Sequence, residues 1–103
     1  MIKTKLTFPS EPYWTPLEEA LGAAGSDGWM YMGAAVSNDG LVIHLYKHHI
    51  TRQYINLSAD GRAWRYGGDG YEEAPRLEAI KGAWETIHLA NEMMGEAQSC
   101  EHK

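Results

Sequence analysis

The chain has 103 residues, a net charge of −5, 44% apolar residues and 22% charged residues. That is the length of one domain, residues 1–103, and the composition of a folded globular protein, which argues against two independent cores and against wholesale disorder. No apolar run reaches the ~20 residues of a membrane-spanning helix and MIKTKLTF lacks a signal-peptide core; the lone Cys100 excludes an internal disulfide framework and fits a reducing, cytoplasmic setting.

Residues 2–8 alternate Ile2, Thr4, Leu6 and Phe8 with Lys3, Lys5 and Thr7, the period of a half-buried strand. Pro9, Pro12 and Pro16 interrupt regular structure, and Thr15-Pro16-Leu17-Glu18 reads as a capping box that starts a short helix ending near Ala24. A meander follows. Trp29–Ser37 is a strand, Asn38-Asp39-Gly40 a hairpin turn, and Leu41–His48 a strand. After a turn at His49-Ile50 come a strand Thr51–Ser58, a turn Ala59-Asp60-Gly61 and a strand Arg62–Tyr66. Gly67-Gly68-Asp69-Gly70 reads as a flexible loop, with Glu72-Glu73 in it. From about Pro75 to Met94 the period is helical, with Leu77, Ile80, Trp84, Ile87 and Met94 on one stripe, Gly82 as a mark of close packing on the sheet, and a frayed tail from about residue 95. The order predicts an α+β fold: a four- to five-stranded antiparallel meander sheet with a short N-terminal helix and a long C-terminal helix packed on one face.

Charge is unevenly placed: −3 over residues 1–40, +3 over 41–66 and −5 over 67–103. The acidic total speaks against generic phosphate binding, while the middle leaves room for a local basic surface. If the helices cover Met30, Met32, Val36, Leu41, Ile43, Leu45, Ile55 and Leu57, the pleat leaves the opposite side bare. That side would present Trp29, Tyr31, His44, Tyr46, His48, Arg52, Tyr54 and Asn56, joined by Arg65. Such residues make binding surfaces, although cross-strand aromatic pairs also serve only to stabilise a sheet. On the long helix, Glu78, Glu85, Glu92 and Glu96 form an acidic row. It reads either as a solvated face or as a phosphate mimic that meets an arginine-lined groove.

Catalytic and metal signatures are missing from the sequence. His44 and His48 lie about 13 Å apart along a strand, too far to share an ion, and no matching Cys, Asp or Glu pattern stands nearby. There is no G-x-S-x-G elbow, and the glycine loop has no Walker lysine. Cys100 has no positioned base. The expectation is a protein that is not an enzyme and takes no cofactor.

The helix-sheet-helix order is similar to the double-stranded-RNA-binding fold. Its lysine-rich clamp would fall on Glu72-Glu73-Ala74-Pro75-Arg76-Leu77-Glu78, however, so that function is not carried over. The glycine-aromatic strand of an RNA-recognition motif is also missing. In length, acidic balance, compact α+β plan and want of a catalytic motif, the chain resembles small proteins of phages and mobile elements, including anti-CRISPR and other anti-defence inhibitors. That resemblance implies stoichiometric inhibition of a nucleic-acid-handling host complex through a protein interface. Single-stranded nucleic-acid or ligand binding on the aromatic and arginine sheet face is the alternative. A homodimer through that face is a third reading, and no membrane partner is expected.

Overall fold

The computed structural model describes the backbone of residues 2–101 and the side chains of residues 2–94. Its elements are β1 (Thr4–Thr7), α1 (Thr15–Ser26), β2 (Trp29–Ser37), β3 (Val42–His48), β4 (Tyr54–Ser58), β5 (Ala63–Tyr66), β6 (Tyr71–Ala74) and α2 (Arg76–Glu101). The fold is α+β, with six strands rather than four or five, all antiparallel and in the order β1-β2-β3-β4-β5-β6. The sixth strand is the segment expected as loop: Glu72 and Glu73 pair with Arg65 and Trp64 across the β5–β6 ladder. The sheet curls until its two edges meet, where Ile2 and Tyr71 exchange two backbone hydrogen bonds of 2.7 and 2.8 Å.

Both helices cover one face, as expected, and Ile55 and Leu57 lie on it as the alternation suggested, but β3 and the start of β2 present to it the set opposite to the one expected. Leu17 and Leu21 of α1 and Ala83 of α2 pack with Trp29, Tyr46, Ile55, Leu57 and Ala63 in one core cluster. Register fixes that grouping, because Tyr46 lies opposite Ile55 and His44 opposite Leu57. The expected set combined Ile55 and Leu57 with Ile43 and Leu45, which point the other way. A bulge in β2 between Tyr31 and Ala34 moves parity again, so Met30 and Val36 do not share a side. Gly33 forms it with φ 101°, where a Cβ would lie 2.5 Å from the Thr7 carbonyl. The second face is not bare either. Curling brings Ala35, Ile43, Leu45, Trp64 and Tyr71 together, with Ile2, Met32 and Leu41 beside them. The strands are thus apolar on both sides, a pattern in which alternation loses its power to choose a face.

The rings on the helix side are held by backbone of α1 and of the segment that leads into it. Trp29 Nε1 donates to the Gly25 carbonyl at 3.0 Å, and Tyr46 Oη donates to the Tyr13 carbonyl at 2.5 Å. Each aromatic polar handle is thereby satisfied in an otherwise apolar setting. The capping box does not form: Trp14 is the N-cap residue and no side chain caps the helix, which reaches Ser26 across a break at Gly22 (φ 75°, ψ 170°). Close helix packing falls at Gly25, where a Cβ would lie 2.9 Å from the Trp84 ring, and not at Gly82, whose Cβ would meet nothing within 4 Å. Gly82→Ala should therefore raise stability by about 1 kcal/mol, read as a higher melting temperature. The backbone of α2 continues past the expected end at Met94 to Glu101. No described helix is long and apolar enough to cross a membrane.

Candidate functional site

Of the expected sheet-face residues, most are enclosed. Tyr46 is 0% exposed, His48 4%, Trp29 6% and His44 8%, with Tyr31 half-buried against them. The bare aromatic platform is therefore corrected: these rings form the floor beneath α1. Tyr31 stands 5.7 Å from Tyr46 and 5.9 Å from His44 between ring centroids, Trp14 covers Tyr46 at 5.8 Å, and Trp29 meets His48 edge-on at 5.1 Å.

The two histidines in this floor are neutral by environment. His44 Nδ1 is 2.8 Å from Tyr31 Oη, and His48 Nδ1 accepts from the Ile50 amide at 3.2 Å. Burial pushes both imidazoles below their ordinary value, with the neighbouring His49 adding to the effect at His48. The unfolded chain then binds protons that the folded chain resists. Stability is full above about pH 6.5 and falls as pH drops through that value towards the lower folded pKa values. Denaturant midpoints measured from neutral to mildly acid pH should decline, and replacing both histidines by glutamine should flatten the decline.

The acidic row divides. Glu78, Glu85 and Glu92 are exposed on α2 at seven-residue spacing, whereas the side chain of Glu96 lies outside the described residues. No group of three His, Cys, Asp or Glu comes within ligating reach among the described residues.

The remaining predicted residues, Arg52, Tyr54 and Arg65, come together at a cleft of about 990 Å³. It exists because the ladder between β4 and β5 holds only Asn56–Trp64 and Leu57–Ala63. Continued register would set Ile55 against Arg65 and Tyr54 against Tyr66, but the strands part there. The opening is lined by Tyr54, Tyr66, Trp64 and Tyr71, while Glu78, Gly82 and Thr86 of α2 form its helical wall. Tyr54 and Tyr66 are exposed, and Lys47 Nζ lies 5.6 Å from the Tyr54 ring centroid. Arg65 is paired with Glu72 at 2.9 Å, whereas Arg52 has no ion pair among the described residues. Arg52 is also the one described non-glycine residue with positive φ, at 66°, where its amide donates to the His48 carbonyl at 2.9 Å and closes the β3–β4 turn. A left-handed arginine costs about 1 kcal/mol or more, and here it sets a guanidinium at the rim.

Asn56 lines the cleft at 7% exposure. Its Nδ2 donates to the Trp64 carbonyl at 3.2 Å, and its Oδ1 is sealed from solvent with no partner. An unpaired buried carbonyl is costly, about 1–3 kcal/mol. Sequence reading placed Asn56 on a face and gave it no role. Tyr66, Trp64 and Tyr71 were missed altogether, although the alternation of Trp64 and Tyr66 in β5 carried the signal for two of them. Beside the cleft, Ser58 Oγ accepts from Trp64 Nε1 at 2.9 Å and donates to Asp60 at 2.5 Å. With Arg62 bonded to it as well, Asp60 is held down to about 2, and the Arg62 guanidinium lies over Trp64 at 4.8 Å. This network fixes the Trp64 wall of the cleft. Comparison with family models, curated proteins and solved structures finds no match to the chain.

Proposed function

We propose that the protein is a non-enzymatic binding module that takes a flat, ring-bearing ligand into the cleft between β4, β5 and α2. The observation that carries this reading is the ladder that stops at Asn56–Trp64 and leaves an opening walled by Tyr54, Tyr66 and Trp64. Concave, mostly apolar clefts with a few placed polar groups are the usual form of ligand sites. Amide spectra recorded with small neutral aromatic fragments test it. Shifts should concentrate at Tyr54, Asn56, Tyr66 and Gly82, and Gly82→Phe, which fills the cleft from the helical wall, should remove them. Shifts confined to other surfaces would overturn the reading.

A second reading is favoured by the exposed row Glu78, Glu85 and Glu92. Here α2 would occupy an arginine-lined groove of a protein partner, as in a phage-type inhibitor of a nucleic-acid-handling defence complex. Glu85→Lys with Glu92→Lys leaves the cleft lining untouched. In this reading the pair abolishes inhibition in a cleavage assay of guided nucleases, and inhibition retained by the pair rejects it.

A further inference from the structure

Resting on the cleft reading, we infer that the ligand is a nucleotide unit, with its base entering beside Tyr54 and Tyr66 and its phosphate held by Lys47 and Arg52. Three observations converge on that chemistry. The two tyrosines are exposed at the place where the β4–β5 ladder opens, so both offer ring faces to a flat guest. Base–aromatic stacking tolerates any base because every base has a π face.

Charge then orients the guest. Lys47 sits over the Tyr54 ring, and Arg52, two residues before Tyr54 in the chain, has no carboxylate partner among the described residues. The other guanidinium, Arg65, is already taken by Glu72, and Glu78 lines the same side. Positive charge is therefore available at the Lys47–Arg52 rim and largely cancelled towards α2, which puts the phosphate at the rim. The third observation is the Asn56 carbonyl. It lines the cleft nine-tenths buried, and its amide nitrogen is committed to Trp64, so the oxygen is an acceptor in want of a donor, one that a guest reaches only when the β4 and β5 walls part over it. The exocyclic amine of adenine or cytosine supplies one; uracil and thymine carry carbonyls in that position. A polar group left unpaired in one complex and paired in another is a strong source of discrimination.

Free nucleotides and single-stranded nucleic acid share this chemistry, and titration of tryptophan emission at low salt separates them. Adenosine monophosphate, uridine monophosphate and a short single-stranded oligoadenylate are the probes. Binding should quench emission through Trp64. Equal affinity per nucleotide for the monophosphate and the oligomer assigns the site to free nucleotides, whereas tighter, strongly salt-dependent oligomer binding assigns it to a strand. Tyr66→Ala should weaken binding by about five- to a hundredfold. Arg52→Gly relieves the left-handed backbone and keeps the fold, yet should weaken binding and lower the oligomer's salt slope by about one. Uridine binding as tightly as adenosine would remove the Asn56 role. If aromatic fragments bind the cleft while neither nucleotide nor oligomer does, the nucleotide inference falls and the cleft reading stands. If no fragment binds, both fall.

Discussion

Tyr46→Ala should cost about 3–5 kcal/mol, a large share of the about 5–15 kcal/mol by which a domain is stable, as read from chemical denaturation. The ring is the largest fully buried side chain among the described residues, packed against Trp14 and Tyr31 and covered by Leu17. Truncation removes that volume. It also deprives the Tyr13 carbonyl of its hydroxyl donor just before α1 begins. Tyr46→Phe keeps the ring and loses the hydrogen bond alone, so its cost should be about 1 kcal/mol. Tyr54→Ala, on an exposed residue of the next strand, should change stability by less than about 1 kcal/mol. The contrast is decisive for the architecture: were Tyr46 on an open face, its truncation would be as mild as that of Tyr54.

Gly70→Ala should open the seam between the sheet's edges, at a cost of about 2 kcal/mol. A Cβ at this position would collide with the carbonyl group of Ile2, whose oxygen accepts from the Tyr71 amide at 2.8 Å. Backbone cannot swing aside as a flexible side chain can, so relief requires Ile2 to move away and break both closing bonds. The control is Gly68→Ala, where φ is 85° but nothing lies within 4 Å. Its strain alone should cost about 1 kcal/mol. Amide exchange at Ile2 and Tyr71 should accelerate in the Gly70 variant and not in the control. Equal costs for the two would mean that the edges do not meet.

How much of this was legible in the sequence depends on where the information resides. The two helices and β1 to β5 could be read because period-two and helical alternation are local, and the Asn38-Asp39-Gly40 and Ala59-Asp60-Gly61 turns punctuate them. Strand β6 escaped because Tyr71-Glu72-Glu73-Ala74 has little alternation; its pairing shows instead in charge, Arg65 to Glu72 and Arg62 to Glu73, which requires knowing the partner strand. The choice of face held for Ile55 and Leu57 and failed in β3 and the start of β2, for a related reason. Leu45 and Tyr46 are both core-forming, and only the Tyr46–Ile55 register and the Gly33 bulge decide which helix-facing set is continuous. Arg52, Tyr54 and Arg65 were legible as an exposed basic and aromatic group. The cleft was not, because a ladder that stops early leaves no mark in composition.

That early stop has a mechanical consequence. Only Asn56–Trp64 and Leu57–Ala63 join β4 to β5. The strands therefore form two panels, one from β1 to β4 and one of β5 and β6, joined by that short ladder at the Ser58 end and by the Ile2–Tyr71 bridge at their outer edges. Spreading them at the Tyr54 and Tyr66 end keeps that ladder but loads the Ile2–Tyr71 bridge, because Tyr71 pairs with Tyr66, so the girth of guest the cleft admits is set by two backbone hydrogen bonds rather than by unfolding.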